Sequence, residues 1–164
     1  MKNKLLINFI TFVLICLGSN LKAETIFFDS KNIKIEENGN MIFATKGQAK
    51  IPSSNLVIEG DKFIYNKINS ELIVIDDVKY FDDENNIYIE SDKIIYNRID
   101  NTIFSKSDTF VKSENGYEIN SSDVMYDRNL NKILSNEHTS VNDKNLNKFL
   151  FKKGLVFELV PEII

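Results

Sequence analysis

Residues 56–66 read Leu56-Val57-Ile58-Glu59-Gly60-Asp61-Lys62-Phe63-Ile64-Tyr65-Asn66, and 87–97 repeat the phrase as Ile87-Tyr88-Ile89-Glu90-Ser91-Asp92-Lys93-Ile94-Ile95-Tyr96-Asn97. A worn third copy runs from Tyr117 to Asp127. Asp61, Asp92 and Asp123 are spaced by 31 residues, whereas Tyr65, Tyr96 and Tyr126 follow at 31 and then 30. A fixed period of this size marks a repeat architecture.

Each copy is rich in β-branched and aromatic residues and ends in a polar turn. Leu56 to Asn66 predicts a strand, Lys67 to Ser70 a turn, and Glu71 to Phe81 the return strand. After a turn at 82–86, Ile87 to Asn97 pairs with Thr102 to Lys112 across 98–101. Tyr117 to Asp127 and Lys132 to Ser135 form a third unit. Ahead of the repeats, Ile26 to Phe28, Lys31 to Glu36, Met41 to Ala44 and Gly47 to Ile51 are shorter strands, with Asn38-Gly39 at a hairpin turn. Residues 149–151 and 155–160 read as a last hairpin outside the period. No stretch carries an apolar stripe of helical period, so the expectation is an all-β chain with almost no helix. The apolar phase switches at Gly60-Asp61 and again at Ser91-Asp92, which predicts a recurring bulge that turns the strand.

The first 23 residues form a different unit. Lys2 and Lys4 precede an apolar run from Leu5 to Leu17, and Ala23 suits a cleavage position, so 1–23 reads as a secretory signal peptide. Ile15 before Cys16 speaks against a lipoprotein signal. Residues 24–164 are then one exported domain, clearest in period over 56–143 and irregular over 144–164. Cys16 is the single Cys, so the exported part would form no disulfide. Removing Lys2, Lys4 and Lys22 leaves 17 basic against 24 acidic residues, a net of −7. That balance argues against a nucleic-acid partner.

The sequence offers little catalysis. His138 is the single His and sits in a loop, where a solvated residue is the simpler reading than a base. One His without an exported Cys makes a transition-metal site a poor fit. Asp82-Asp83-Glu84 lacks the alternate acidic pattern of a calcium loop and reads as a solvated turn. Asp61, Asp92 and Asp123, with Lys62 and Lys93 beside two of them, read as outward bulge residues and not as ligands. The recurring Phe63, Tyr65, Ile94, Tyr96, Met125 and Tyr126 fit either a packed core or a surface that holds a lipid, and periodicity alone favours the core.

Residues 61–66 and 92–97 match an Ala-Asp-x-aliphatic-x-Tyr-Asp/Asn phrase, with Gly60, Ser91 and Ser122 at the small position. In this the chain resembles the OstA-like domain family over roughly Ile26 to Asp143. That family includes the periplasmic lipopolysaccharide-transport proteins LptA and LptC and the N-terminal domain of the outer-membrane assembly protein LptD. Asp76-Asp77-Val78 and Ser107-Asp108-Thr109 stand where the family often carries Gly-Asn-Val. The wording is nearer LptD, the length nearer LptA.

The resemblance implies a repeat-built antiparallel β-jellyroll, or β-taco, open along one side. It implies a periplasmic, non-enzymatic carrier or bridge, associated with the outer membrane if LptD-like, that shields lipopolysaccharide acyl chains without a cofactor or metal. Ile58, Phe63, Ile73, Ile94, Phe104, Ile119 and Met125 are the groove candidates. Expected partners are lipopolysaccharide and other OstA-like domains joined by edge-strand pairing, with head-to-tail oligomers as one outcome. Burying a CH2 group is worth about 0.8 kcal/mol, so a tail of about a dozen loses roughly 10 kcal/mol in bare water. The competing expectation is an exported structural or adhesive β-repeat protein, lipid-free, with a filled core.

Overall fold

A computed structural model describes residues 25–159. The expected signal peptide lies outside the described residues. The described chain is all-β, with single 3-10 turns at Glu37–Gly39 and Pro52–Ser54 and no α-helix.

Five long strands come first: β1 (Phe27–Glu36), β2 (Met41–Ile51), β3 (Leu56–Asn66), β4 (Glu71–Asp82) and β5 (Ile87–Asn97). Eight short ones follow: β6 (Thr102–Ser105), β7 (Thr109–Ser113), β8 (Glu118–Ser121), β9 (Val124–Asp127), β10 (Lys132–Ser135), β11 (Thr139–Asn142), β12 (Lys148–Phe151) and β13 (Leu155–Glu158). All pair antiparallel in one 13-stranded sheet that does not close into a barrel.

The sheet is a meander folded lengthwise. Beyond β5 it divides: Ile95 to Asn97 pairs with β6, which leads through β9 and β10 to β13. Ile87 to Ser91 pairs with β7, which leads through β8 and β11 to β12. Each long strand crosses both halves, and each later crossing is cut into two short strands. The cuts fall at 106–108, 122–123, 136–138 and 152–154. In line with them lie Asp61 and Asp92, where β3 and β5 change phase, from Leu56 and Ile58 buried to Phe63 and Tyr65 buried in the first case. This fold line is the closed side of the taco.

The structure corrects two expectations. The extra bulge residue lies in β4, at Asp76-Asp77, where the register slips against both neighbours and both residues have positive φ. Gly60-Asp61 and Ser91-Asp92 are the crossing points opposite it. Residues 148–158 are not a hairpin, because β12 pairs with β11 and β13 with β10. They form one more bent crossing, so the meander continues where the period seemed to stop.

The phrase at 56–66 is now legible residue by residue. Leu56 and Ile58 fill one half, and Phe63 and Tyr65 the other. Asn66, Asn97 and Asp127 cap the turn after each copy, accepting the backbone N–H of Ile68, Ile99 and Leu130 at 2.9, 2.9 and 3.0 Å. Ser70, Asn101 and Asn131 close these turns with positive φ, a conformation Asn tolerates well. Successive turns then stack: the N–H of Arg98 donates to Ser70 O at 3.0 Å, and that of Arg128 to Asn101 O at 3.2 Å.

Candidate functional site

The candidate site is the space between the two halves of the sheet. Tyr80, Tyr96, Tyr126, Phe63, Ile51, Leu56, Ile58, Leu72, Ile89, Ile94, Ile103 and Ile119 are its most deeply buried large side chains. Edge-to-face contact between Tyr80 and Tyr126, centroids 6.4 Å apart, joins β4 of one half to β9 of the other. Each aliphatic or Phe side chain among them contributes about 1.5–3 kcal/mol by leaving water, so this interior is cohesive by itself. The Tyr80 hydroxyl is buried there with no hydrogen-bond partner among the described residues, and burial raises its pKa well above the ordinary range.

Of the groove candidates, Ile58, Phe63, Ile94 and Ile119 point into this interior and are buried. Ile73, Phe104 and Met125 do not join them. They stand half-buried on the outer face, in one cross-strand row: Phe43, Ile64, Ile73, Ile95, Phe104, Met125, Leu134, Val156. The strands are apolar on both faces here, so alternation alone does not say which face is inside.

At its two ends the described residues leave the interior uncovered. Ile33 and Ile35 lie on the inner face of β1, opposite buried Ala44 and Ile42, yet are 50% and 61% exposed. At the other end Phe149 and Phe151 face Val141 and Thr139 and are 48% and 37% exposed. Among the described residues no strand pairs with the far side of β1, or with the far sides of β12 and β13.

The side opposite the fold line, between the turns of the two halves, is bridged by a charged clasp. Arg128, 4% exposed in its side chain, donates from Nε to Asp82 Oδ2 at 2.7 Å, and Asp82 is fully buried. Its remaining N–H groups reach Asp82 Oδ1, Glu84 Oε2, the carbonyl of Ser54 and Asn101 Oδ1, all at 3.0–3.1 Å. Tyr126 donates to Asp82 Oδ2 at 3.1 Å, and Asn85 at 2.9 Å. Burial pushes the Asp82 carboxyl up, but bonds from Arg128 and Asn85 outweigh it and hold it below the usual range. Burial and Asp82 together push the Tyr126 phenol up. This corrects the reading of Asp82-Asp83-Glu84 as a solvated turn: Asp83 and Glu84 are exposed, but Asp82 is the acceptor at the clasp's centre. Arg128, one of only two Arg residues in a Lys-rich chain, was the available sign.

Along the fold line the interior is lined by hydroxyls. Ser91, Ser105 and Thr109 bond one another at 2.8, 3.1 and 2.7 Å. Thirty residues on, Ser121, Ser135 and Thr139 repeat the triad at 2.8, 3.2 and 2.9 Å. Thirty-one residues before Ser91 stands Gly60, with Val74 and Val78 as the partners. The structural counterpart of Ser91 is therefore Ser121 and not Ser122. Neither triad touches an imidazole: Ser121 Oγ bonds the His138 carbonyl at 3.4 Å, while the His138 residue is exposed. These bonds of the hydroxyls run to one another and to backbone groups, whereas an activated nucleophile is hydrogen-bonded to its base.

A groove of about 970 Å³ lies beside the fold line, lined among others by Asp77, Lys79, Glu90, Asp92, Asp108 and His138. Its charged walls suit no acyl chain. Among the described residues no group of three or more His, Cys, Asp or Glu is placed to hold a metal ion. No described helix is long and apolar enough to cross a membrane. Neither protein-family models nor curated proteins yield a match to this chain.

Proposed function

We propose that the chain is a non-enzymatic periplasmic carrier or bridge domain that shields lipopolysaccharide acyl chains on their way to the outer membrane. The observation that carries the reading is the continuous apolar interior, which runs the length of the folded sheet and, among the described residues, emerges uncovered at both ends beside unpaired strand edges. A further domain of the same architecture, adding a strand at either edge, would extend that interior without exposing acyl chains to water. The motif resemblance supports the same reading.

The route asks something of the molecule. Tails enter at the uncovered ends, and passage along the middle requires the two halves to part, because the interior is filled and the Arg128 clasp ties the side opposite the fold line. Those two observations favour a second reading, an exported structural or adhesive β-repeat protein without a lipid ligand.

Bound lipid separates the two readings. The protein is expressed from its full reading frame in a Gram-negative host, purified without detergent, and examined by native mass spectrometry. The carrier reading predicts lipid A-containing species retained at about one per chain. Protein that emerges lipid-free, and stays so after incubation with lipopolysaccharide, belongs to the second reading.

A further inference from the structure

The two ends of the folded sheet are not equivalent, and their strand directions decide how copies can join. Each half is nine strands deep, counted from β1 to β13 on one side and from β1 to β12 on the other. Every neighbouring pair is antiparallel, so an odd count makes β1 and the far edge run the same way. A head-to-tail joint that keeps both halves continuous must therefore be a parallel ladder. A joint between two β1 strands, related by a two-fold axis, is antiparallel and keeps the fold lines aligned.

Side chains discriminate between these joints. In the parallel joint, aligning inner with inner residues sets Glu36 beside Glu158, Asp29 beside Leu150, Lys34 beside Val156 and Phe27 beside Lys148. That arrangement contains one like-charge pair and no opposite-charge pair.

For two β1 strands, the inward residues are Phe28 and Ser30 in one half and Ile33 and Ile35 in the other. Phe28 packs edge-on against Phe63 at 6.0 Å, and Ile33 and Ile35 sit opposite Ala44 and Ile42. The phase therefore changes between Ser30 and Ile33. A two-fold axis between Lys31 and Asn32 superimposes that change on itself. It sets Phe28 opposite Ile35 of the second copy and Ser30 opposite its Ile33, all inward. On the outer face it sets Asp29 opposite Lys34 of the second copy, and the symmetry makes that pair twice. Asp29 and Lys34 are exposed, and their present partners, Lys50 and Glu36, are exposed or at the rim, so the exchange costs little. Opposite charges directly across an antiparallel pair stabilise it, and like charges oppose it.

We propose that β1 is a self-association edge, and that the protein forms a two-fold head-to-head dimer through antiparallel β1–β1 pairing in this register. The pairing covers Ile33 and Ile35, which the described residues of one chain leave at least half exposed. It leaves a β12–β13 edge at each end of the dimer, free for a partner domain. The joint does not depend on lipid carriage, and it stands or falls independently of that reading.

Cross-linking reads the register directly, because facing Cα atoms in an antiparallel pair lie within disulfide reach. In a Cys16→Ser background, Asp29→Cys/Lys34→Cys is expected to form, under mild oxidation, a covalent species that stops at two chains. The residues are five apart on one strand, too far to bridge within a chain. Asp29→Cys/Leu150→Cys reports the head-to-tail register and is expected to stay unlinked. In sedimentation experiments Asp29→Lys should weaken self-association about tenfold, and Asp29→Lys/Lys34→Asp should restore it. Covalent ladders of three or more chains from the Asp29/Leu150 variant would overturn the proposal. So would a monomer at all concentrations, with neither variant cross-linking.

Discussion

At the scale of single residues, the interior is governed by one buried charge pair. Arg128 is held by five acceptors, and Asp82 accepts from Arg128, Tyr126 and Asn85. Removing one member strands the other in a site closed to water, which costs about 3–5 kcal/mol. Arg128→Ala should lose that much unfolding free energy in urea titrations followed by circular dichroism. Asp82→Leu/Arg128→Met should recover most of it, because an apolar pair of similar volume leaves no orphan charge. The clasp also sets an acid limit. The folded pKa of Asp82 lies below its ordinary 3.8, so the unfolded chain takes up the proton first as pH falls. The contribution of Asp82 is full above about pH 4 and is lost as pH drops through the folded value. Thermal melts from pH 6 to pH 2.5 should show a steep acid decline that is shallower in Asp82→Asn.

At the scale of the element, the unit is a strand bent across two half-sheets. Gly60 shows why the bend point is small: an added Cβ would lie 2.4 Å from Val74 Cγ1. Gly60→Ala should cost about 1–3 kcal/mol by overpacking, and Gly60→Ala/Val74→Ala should regain much of it, both read from urea midpoints. The later copies solve the same packing problem with Ser91 on Ser105 and Ser121 on Ser135, trading a glycine and a valine for two bonded serines. Periodicity exposed the repeat, the turns and the outward Asp residues, because turn chemistry and spacing are local properties. It did not reveal that Thr102 to Lys112 is two strands serving different halves, nor that β12 and β13 are a ninth crossing. Those depend on which earlier strand each segment meets. The outward place of Ile73, Phe104 and Met125 is hidden for the same reason: a strand apolar on both faces leaves its inner side to be settled by its neighbours. The clasp joins residues 46 apart in sequence, and no local pattern connects Asp82 to Arg128.

At the scale of the whole molecule, the shape is a folded sheet with a closed spine, a clasped opposite side and two ends that no described strand covers. Stability and carriage pull in opposite directions here. The filled interior needs no ligand to hold it together, while acyl chains would have to displace its own side chains or lie against its ends. In the proposed carrier, lipopolysaccharide acyl chains would contact the inner face. A photo-crosslinking amino acid at Phe63, Ile94 or Ile119 tests it, with Lys62 and Lys93 as outward controls on the same strands as Phe63 and Ile94, in cells making lipopolysaccharide. Lipopolysaccharide adducts are expected at the inward positions and none at the two lysines. Adducts confined to positions 62 and 93, or none anywhere in protein that remains folded, would rule out acyl-chain contact with the inner face.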